Sequence, residues 1–254
     1  MSVQPPAIAL ILARAGSKGV PGKNFAPIAG RPCVAWTLDY AAACGLLSAI
    51  AVSTDDPRIE ELVESEYPGV EVVARPRDLA SDTATVDDAA RHAMRELESR
   101  RPELKTPETR VVILYANVPV RPAGLIERAL DRMAHPGTDS VQSYQPVGKN
   151  HPWWMARVDR ATGQVTPWEG DVLNHGVFRR QDLPPAFVPD GAILVVTRRA
   201  LMLQIPGVAP GPHAFFGAIR LGIETKPGDV VDIDSPIDVA VADAVLRRAT
   251  TVPS

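Results

Sequence analysis

"ILARAGSKGVPGKNF", residues 11–25, joins two kinds of chain that belong in different environments. The run that leads into it, "AIALILA" (7–13), has strand length and no polar residue on either face. A strand of that kind is covered on both sides. Beyond Arg14 the chain switches to glycines (Gly16, Gly19, Gly22), Pro21, two lysines (Lys18, Lys23) and Asn24. That composition excludes a core segment and suits a loop at the end of a buried strand. Apolar runs recur at "AIAVS" (49–53), "VEVVA" (70–74) and "RVVILYA" (110–116). Helical patterns separate them, over 32–44, 57–66, 84–98 and 122–134. In the last of these, Leu125, Ile126, Ala129, Leu130 and Met133 share one face at helical spacing. Strands alternating with helices predict an α/β domain over 1–254, built on a doubly wound, mostly parallel sheet. Ligands of such sheets gather beyond the carboxyl ends of the strands. The loop after residue 13 lies at such an end.

Residues 140–190 read differently. "SVQSYQPVGKNHPWWMARVDRATGQVTPWEG" holds three of the four tryptophans, short possible strands and many breakers. It predicts a small β-rich insertion whose aromatics serve either a subunit contact or a flap packed on its own core. "GAILVVT" (191–197) returns to strand, and a helix over 236–249 closes the pattern. Pro32 is expected in the first turn of the helix that follows the loop.

The chain has 254 residues, 45% of them hydrophobic, with a formal charge of −3. A balanced charge demands no basic face, so nucleic acid is not an expected partner. Apolar stretches of about seven residues fall far short of the roughly 20 that cross a bilayer. The first residues lack a basic region followed by a long apolar one, so a cytoplasmic protein is expected. Cys33 and Cys44 suit small buried hydrophobes better than a disulfide or a zinc site.

Two common phosphate loops are excluded by spacing. The P-loop has four residues between its glycines, then Lys and Ser or Thr. Here five separate Gly16 from Gly22, and Asn24 follows Lys23. The dinucleotide pattern G-x-G-x-x-G is also absent. The physical logic of an anion loop remains: glycines let backbone N–H groups turn toward a ligand, and Arg14, Lys18 and Lys23 supply charge-assisted donors. Three cations suit a polyphosphate better than a single carboxylate. Composition alone also allows an idle surface loop.

Downstream, "VVDIDSPID" (230–238) places Asp232 and Asp234 two apart, on the same side of an extended segment. Two close carboxylates repel unless a cation lies between them. Mg²⁺ is commonly held by one or two carboxylates together with substrate phosphates. Ser235, Pro236 and Asp238 form a helix start of their own, which leaves Asp232 and Asp234 for metal. Ser81 and Asp82 read as the polar start of the helix "TATVDDAARHAMREL". The histidines form no spaced cluster, and no Ser or Cys nucleophile stands beside a base, so direct displacement is expected over covalent catalysis.

"LARAGSKGVPGKN" resembles the signature of the cytidylyltransferases that activate sialic acids and related nonulosonic acids, with the Kdo-activating enzymes as relatives. "VSTDD" (52–56), "RPRDLASDTAT" (75–85), "NVPVR" (117–121), "RRQDLPPAF" (179–187) and "VDIDSPID" (231–238) follow in the family's order. The resemblance implies a Rossmann-like nucleotidyltransferase, a homodimer with a small dimerisation subdomain. It implies CTP as donor, an acidic 3-deoxy-2-ulosonic acid as acceptor, Mg²⁺ on Asp232 and Asp234, and Arg14 and Lys23 acting with that pair in catalysis. The nucleotide site would comprise Ala13, Arg14, Gly16, Ser17, Lys18, Lys23, Asn24, Arg75, Ser81 and Asp82, with Arg75 at the base. Arg180 would bind the acceptor's carboxylate. Tyr115, Asn117, Asp190 and Leu194 would also line the acceptor pocket, although "YANVPVR" and "DGAIL" depart from the family's usual residues there. Phe215 and Phe216 resemble a pair that approaches the sugar; ordinary core packing is the other reading. The departures leave open a related acceptor, such as a Kdo-like acid, a sugar phosphate or a phosphonate. A CTP-binding regulator without catalysis is a third possibility.

Overall fold

The computed structural model describes residues 4–16 and 19–251. Seven strands form the main sheet: β1 (Ala7–Ala13), β2 (Ala49–Thr54), β3 (Val70–Ala74), β4 (Arg110–Tyr115), β5 (Ser140–Pro146), β8 (Phe187–Thr197) and β9 (Arg220–Glu224). Outside it, β6 (Ala156–Val158) and β7 (Val165–Pro167) make a separate hairpin, and the two-residue strands Pro27–Ile28 and Arg31–Pro32 pair with each other. Across the main sheet the order is β9-β5-β8-β4-β1-β2-β3. Only β8 runs against its neighbours; Leu194 faces Ile113 on one side and Val195 faces Val141 on the other.

β1 is buried along its whole length because helices cover both faces. Ala9, Ile11 and Ala13 join a core with α1 (Cys33–Ala42), α2 (Pro57–Glu66) and α4 (Leu125–Arg132). Ile8, Leu10 and Leu12 join the opposite core with α3 (Val86–Arg100) and α5 (Arg198–Leu201). The period of two along β1 therefore sorts its side chains between two apolar layers. A smaller third core packs Val231 and Ile233 against α6 (Pro236–Thr251). Both cysteines are buried and free.

Three expectations need adjustment. Both ends of the stretch 140–190 belong to the main sheet as β5 and β8, because Ser140, Val141 and Ser143 are buried between neighbouring strands. The excursion is thus 147–186. Pro32 is the residue before α1 rather than its first turn. α3 starts after Thr85, whose hydroxyl accepts from Asp88 N–H, so Ser81 and Asp82 lie in the turn ahead of it.

The excursion is an arm with a small centre of its own. Trp153 stacks on His175, ring centroids 4.7 Å apart. His151, itself buried, accepts from Trp153 N–H through Nδ1. Outside that centre the arm exposes Val158, Val165, Trp168, Val172 and Phe178, the last 87% exposed. No helix among the described residues is long and apolar enough to cross a membrane.

Candidate active site

A cavity of about 360 Å³ opens beyond the carboxyl ends of β1, β3 and β4. Its shape starts with the loop after β1. Thr54 Oγ1 donates to the Ala13 carbonyl at 2.6 Å, and Ala15 N–H donates to Asp55 at 2.8 Å, so β2 aims the first residues of the loop. The loop returns through Gly22, whose φ of +62° favours glycine, into a 3-10 turn at Lys23–Phe25. Asn24 then closes it, its Nδ2 donating to the Arg14 carbonyl at 2.8 Å. Asn24 Oδ1 is buried with no hydrogen-bond partner among the described residues, at a residue that lines the cavity.

The loop seats directly on the 232–234 segment. Lys23 Nζ donates to the Ile233 carbonyl at 2.9 Å and pairs with Asp234 Oδ1 at 2.7 Å. A Cβ on Gly19 would lie 2.2 Å from the Asp234 carbonyl oxygen, so no larger residue fits there. Asp232 is held from the other side, its Oδ1 accepting from Asn117 Nδ2. Burial, and then the charge of Asp234, raise the Asp232 carboxyl to about 6. Asp238 takes the helix-starting role read from its position: it accepts from Ser235 N–H at 2.7 Å and from Asp234 N–H at 3.1 Å. Among the described residues no group of three His, Cys, Asp or Glu could form a protein-only metal cage.

The opposite wall is cationic. Arg75 is 8% exposed and bonded to Ser53 through its hydroxyl at 3.1 Å and its carbonyl at 2.8 Å. Burial lowers its guanidinium to about 10, which leaves it charged near neutrality. Arg14 reaches across to the Ser81 carbonyl at 3.1 Å and Asp82 Oδ1 at 3.0 Å, bracing the 80–82 turn. Val86 and Ala89 from the start of α3 add an apolar strip.

The structure therefore gathers Arg14, Lys23, Asn24, Arg75, Ser81, Asp82, Tyr115, Asn117 and Asp234 on one cavity, with Asp232 fixed through Asn117. Ser17 and Lys18 lie outside the described residues. Ala13 is wholly buried, with its carbonyl taken by Thr54, so it supports the loop from beneath. Gly16 has open space around its Cβ position, whereas Gly19 packs closely against the Asp234 backbone.

Two acceptor-side expectations need correction, and a third residue lies away from the cavity of its own chain. Leu194 is 2% exposed and belongs to the core, because β8 enters the middle of the sheet and is covered on both faces. Asp190 is buried; its carboxylate accepts from the Ser143 and Thr225 hydroxyls and from Ala192 N–H, so its capacity is used by the chain itself. Arg180 is exposed on the arm and lines a different cleft, with Leu183, Pro184, Phe187 and Glu224. Phe215 is buried in the core, whereas Phe216 is partly exposed and stacked on His213. Sequence reasoning missed Asp55, which aims the loop, and Gly19. "VSTDD" contained the first signal; the second depends on a segment far downstream.

Comparison with known proteins bears on the family and the fold. The cytidylyltransferase family model matches residues 8–153. An N-acylneuraminate cytidylyltransferase of Streptococcus agalactiae is 30% identical over 226 residues, covering 87% of this chain and 51% of its own length. The chain thus spans about half the length of that curated relative. A CMP-N,N'-diacetyllegionaminic acid synthase of Legionella pneumophila is 28% identical, covering 94% of this chain and 96% of its own. Among solved structures, a CMP:2-keto-3-deoxy-manno-octonic acid synthetase in complex with CTP superposes with a TM-score of 0.68 at 17% identity, over 96% of this chain and 99% of that one. A 4-diphosphocytidyl-2C-methyl-D-erythritol synthase of Anaerococcus prevotii gives 0.63 at 13%, over 96% and 99%. At such identities these two speak for the fold, while the match over 8–153 decides the family: the chain belongs to the cytidylyltransferases.

Proposed function

We propose that the chain transfers CMP from CTP to the anomeric hydroxyl of a sialic-acid-like 3-deoxy-2-ulosonic acid, releasing pyrophosphate. The observation that carries this reading is the seating of the cationic loop on the acidic segment, Lys23 on Asp234 and Gly19 against its carbonyl. A triphosphate placed there meets cations on one side and carboxylates on the other. The Legionella relative, aligned over nearly its whole length, is named for N,N'-diacetyllegionaminic acid, which supports an acidic sugar as acceptor.

The donor set suits a hard dication. Asp232 and Asp234 offer only oxygens, and Asp234 raises the carboxyl of Asp232, a repulsion that a cation between them relieves. Mg²⁺ held by this pair would supply charge neutralisation at the phosphates. The chain's own residues do the rest. Lys23 exchanges its Asp234 partner for a phosphate oxygen, and Arg14 approaches the triphosphate from the far wall. Arg75 presents a planar donor to the cytosine from a fixed seat on Ser53. The acceptor oxygen bonds to the α-phosphorus in line as the α–β bridging bond breaks. Its proton is lost, and pyrophosphate leaves with the bonding pair. Positioning and charge stabilisation account for the rate, with no covalent intermediate.

The acceptor's carboxylate is met by Arg180 of a second copy. In support, Arg180 does not line the cavity of its own chain, and its arm exposes a broad apolar surface. The chain then works as a homodimer. Two free, buried thiols suit the cytoplasm. An acceptor panel with CTP and pyrophosphate detection tests the whole reading: turnover with a nine-carbon ulosonic acid supports it, and turnover restricted to sugar phosphates, phosphonates or Kdo-like acids overturns the acceptor class. That second reading draws on Tyr115, which lines the cavity, and on Asp190 and Leu194, which do not. CTP binding without turnover on any acceptor would favour a regulator. Mixing Asp232→Asn with Arg180→Ala chains should restore part of the activity if the sites are shared between copies; no restoration removes the shared site.

A further inference from the structure

Arg121 is a partly buried cation with no assigned task. Among the described residues its guanidinium donates only to neutral oxygens: Nε to the Ala192 carbonyl at 2.7 Å, Nη2 to the Tyr115 carbonyl at 2.8 Å, and Nη1 to Thr37 Oγ1 at 2.9 Å and to the Val118 carbonyl. It also stands over the Tyr40 ring at 5.6 Å. Burying an unpaired charge is expensive, and a neutral residue of similar volume would relieve that cost if the site were only structural.

One of the oxygens it grips is on α1, at Thr37; the other three belong to two pieces of chain that lie beside Asp232. The first is the turn after β4. Its carbonyls at 115 and 118 bracket Asn117, which donates to Asp232 Oδ1. That turn is further pinned to the acidic segment by Ile233 N–H on the Asn117 carbonyl, 2.9 Å, and by the bridge between Val120 and Val231. The second is the irregularity in β8 between Pro189 and Leu194. Asp190 holds Ala192 N–H and Arg121 holds the Ala192 carbonyl, so Gly191 is fixed at φ +75° between them. A Cβ built on Gly191 lies 3.4 Å from Asp232 Oδ2, in van der Waals contact. One planar fork thus sets both neighbours of the carboxylate, Asn117 at one oxygen and Gly191 at the other.

We propose that Arg121 is the positioning residue that fixes the orientation of the Asp232 carboxylate, acting through the Asn117 turn and the Gly191 bulge. This rests on the reading that Asp232 serves the metal and phosphates. Lysine keeps the charge but cannot hold four oxygens in a planar fork. Arg121→Lys and Arg121→Met should therefore lower kcat by about a hundredfold while leaving the KM for CTP within about threefold. Binding of Mn²⁺ to the full-length protein, followed by its electron paramagnetic resonance in the presence of CTP, should weaken about tenfold. The decisive comparison places the same substitutions in an Asp232→Asn background. If Arg121 acts through Asp232, they cost little more there; equal loss in both backgrounds, or unaltered Mn²⁺ binding, overturns the proposal. Should Arg121→Met fail to fold, Thr37→Val removes one acceptor of the fork and should give the same kcat-selective loss at a few-fold scale; a KM-only effect would count against it. If Asp232→Asn is itself fully active, the metal reading fails first, which separates the two.

Discussion

The two halves of the cavity are built by different means. On the nucleotide side the working residues sit in short segments next to the strands that aim them: Arg14 and Asn24 around one loop, Arg75 directly after β3, Ser81 and Asp82 in the following turn. On the side proposed for the acceptor no such segment recurs among the described residues, and single residues are held by distant strands. Asn117 reaches Asp232, Arg121 reaches Ala192, and Asp190 reaches Ser143 and Thr225. The difference teaches that a local motif can place a ligand's phosphates, while a sugar pocket depends on how distant strands are registered.

The largest effect should come where the halves meet. Asp232→Asn keeps the shape but removes the charge, and kcat should fall by about a thousandfold or more. Pyrophosphate release measures it, with a thermal melt to show the fold intact. Full activity would dissolve the boundary between the halves as drawn.

Leu194 comes next, and it tests whether the acceptor side was drawn correctly. It is covered on both sides within the sheet. Leu194→Ala should cost about 2–5 kcal/mol, read by urea unfolding, with the acceptor KM unmoved. A shift in acceptor KM without loss of stability would return Leu194 to the pocket.

Arg75 sharpens the nucleotide side. A hydrogen bond to a charged group is worth about 1.5–3 kcal/mol, so Arg75→Met should raise the KM for CTP by about ten- to hundredfold. The acceptor KM should stay put, as substrate titrations of each would show.

These contrasts also explain what the chain disclosed before its fold was known. β1 and the loop were legible because an unbroken apolar run followed by glycines and cations is a local pattern. The helix start at Asp238 was legible as a local pattern, which its bonds to Ser235 and Asp234 bear out. Asp190 and Leu194 were misplaced because their surroundings come from β5, β9 and the antiparallel entry of β8. Nothing in "DGAIL" states that the strand runs backward through the sheet. Gly19 escaped for the same reason, since the backbone it touches comes from the other end of the chain.

The smallest effect separates two neighbours, Asp55 and Asp56. Asp55 accepts from Ala15 N–H and so acts on the loop. Asp56 accepts from Arg58 N–H as the cap of α2 and pairs with the Arg58 guanidinium at 2.6 Å. Asp55→Ala should raise the KM for CTP a few-fold, by about 1 kcal/mol of lost hydrogen bonding, with little change in melting. Asp56→Ala should do the reverse, costing about 1 kcal/mol of stability with KM unchanged. The second loss carries a pH signature. The Arg58 hydrogen bond holds the Asp56 carboxyl below its usual range. A carboxyl depressed in the folded state stabilises above its unfolded pKa of about 3.9, and that contribution fades as pH falls through the folded value. Unfolding curves of the native chain and Asp56→Ala should therefore differ at neutral pH and converge in acid. A gap that persists in acid would mean that Asp56 supports the fold by packing rather than by its charge, and the division of labour between the two aspartates would have to be redrawn.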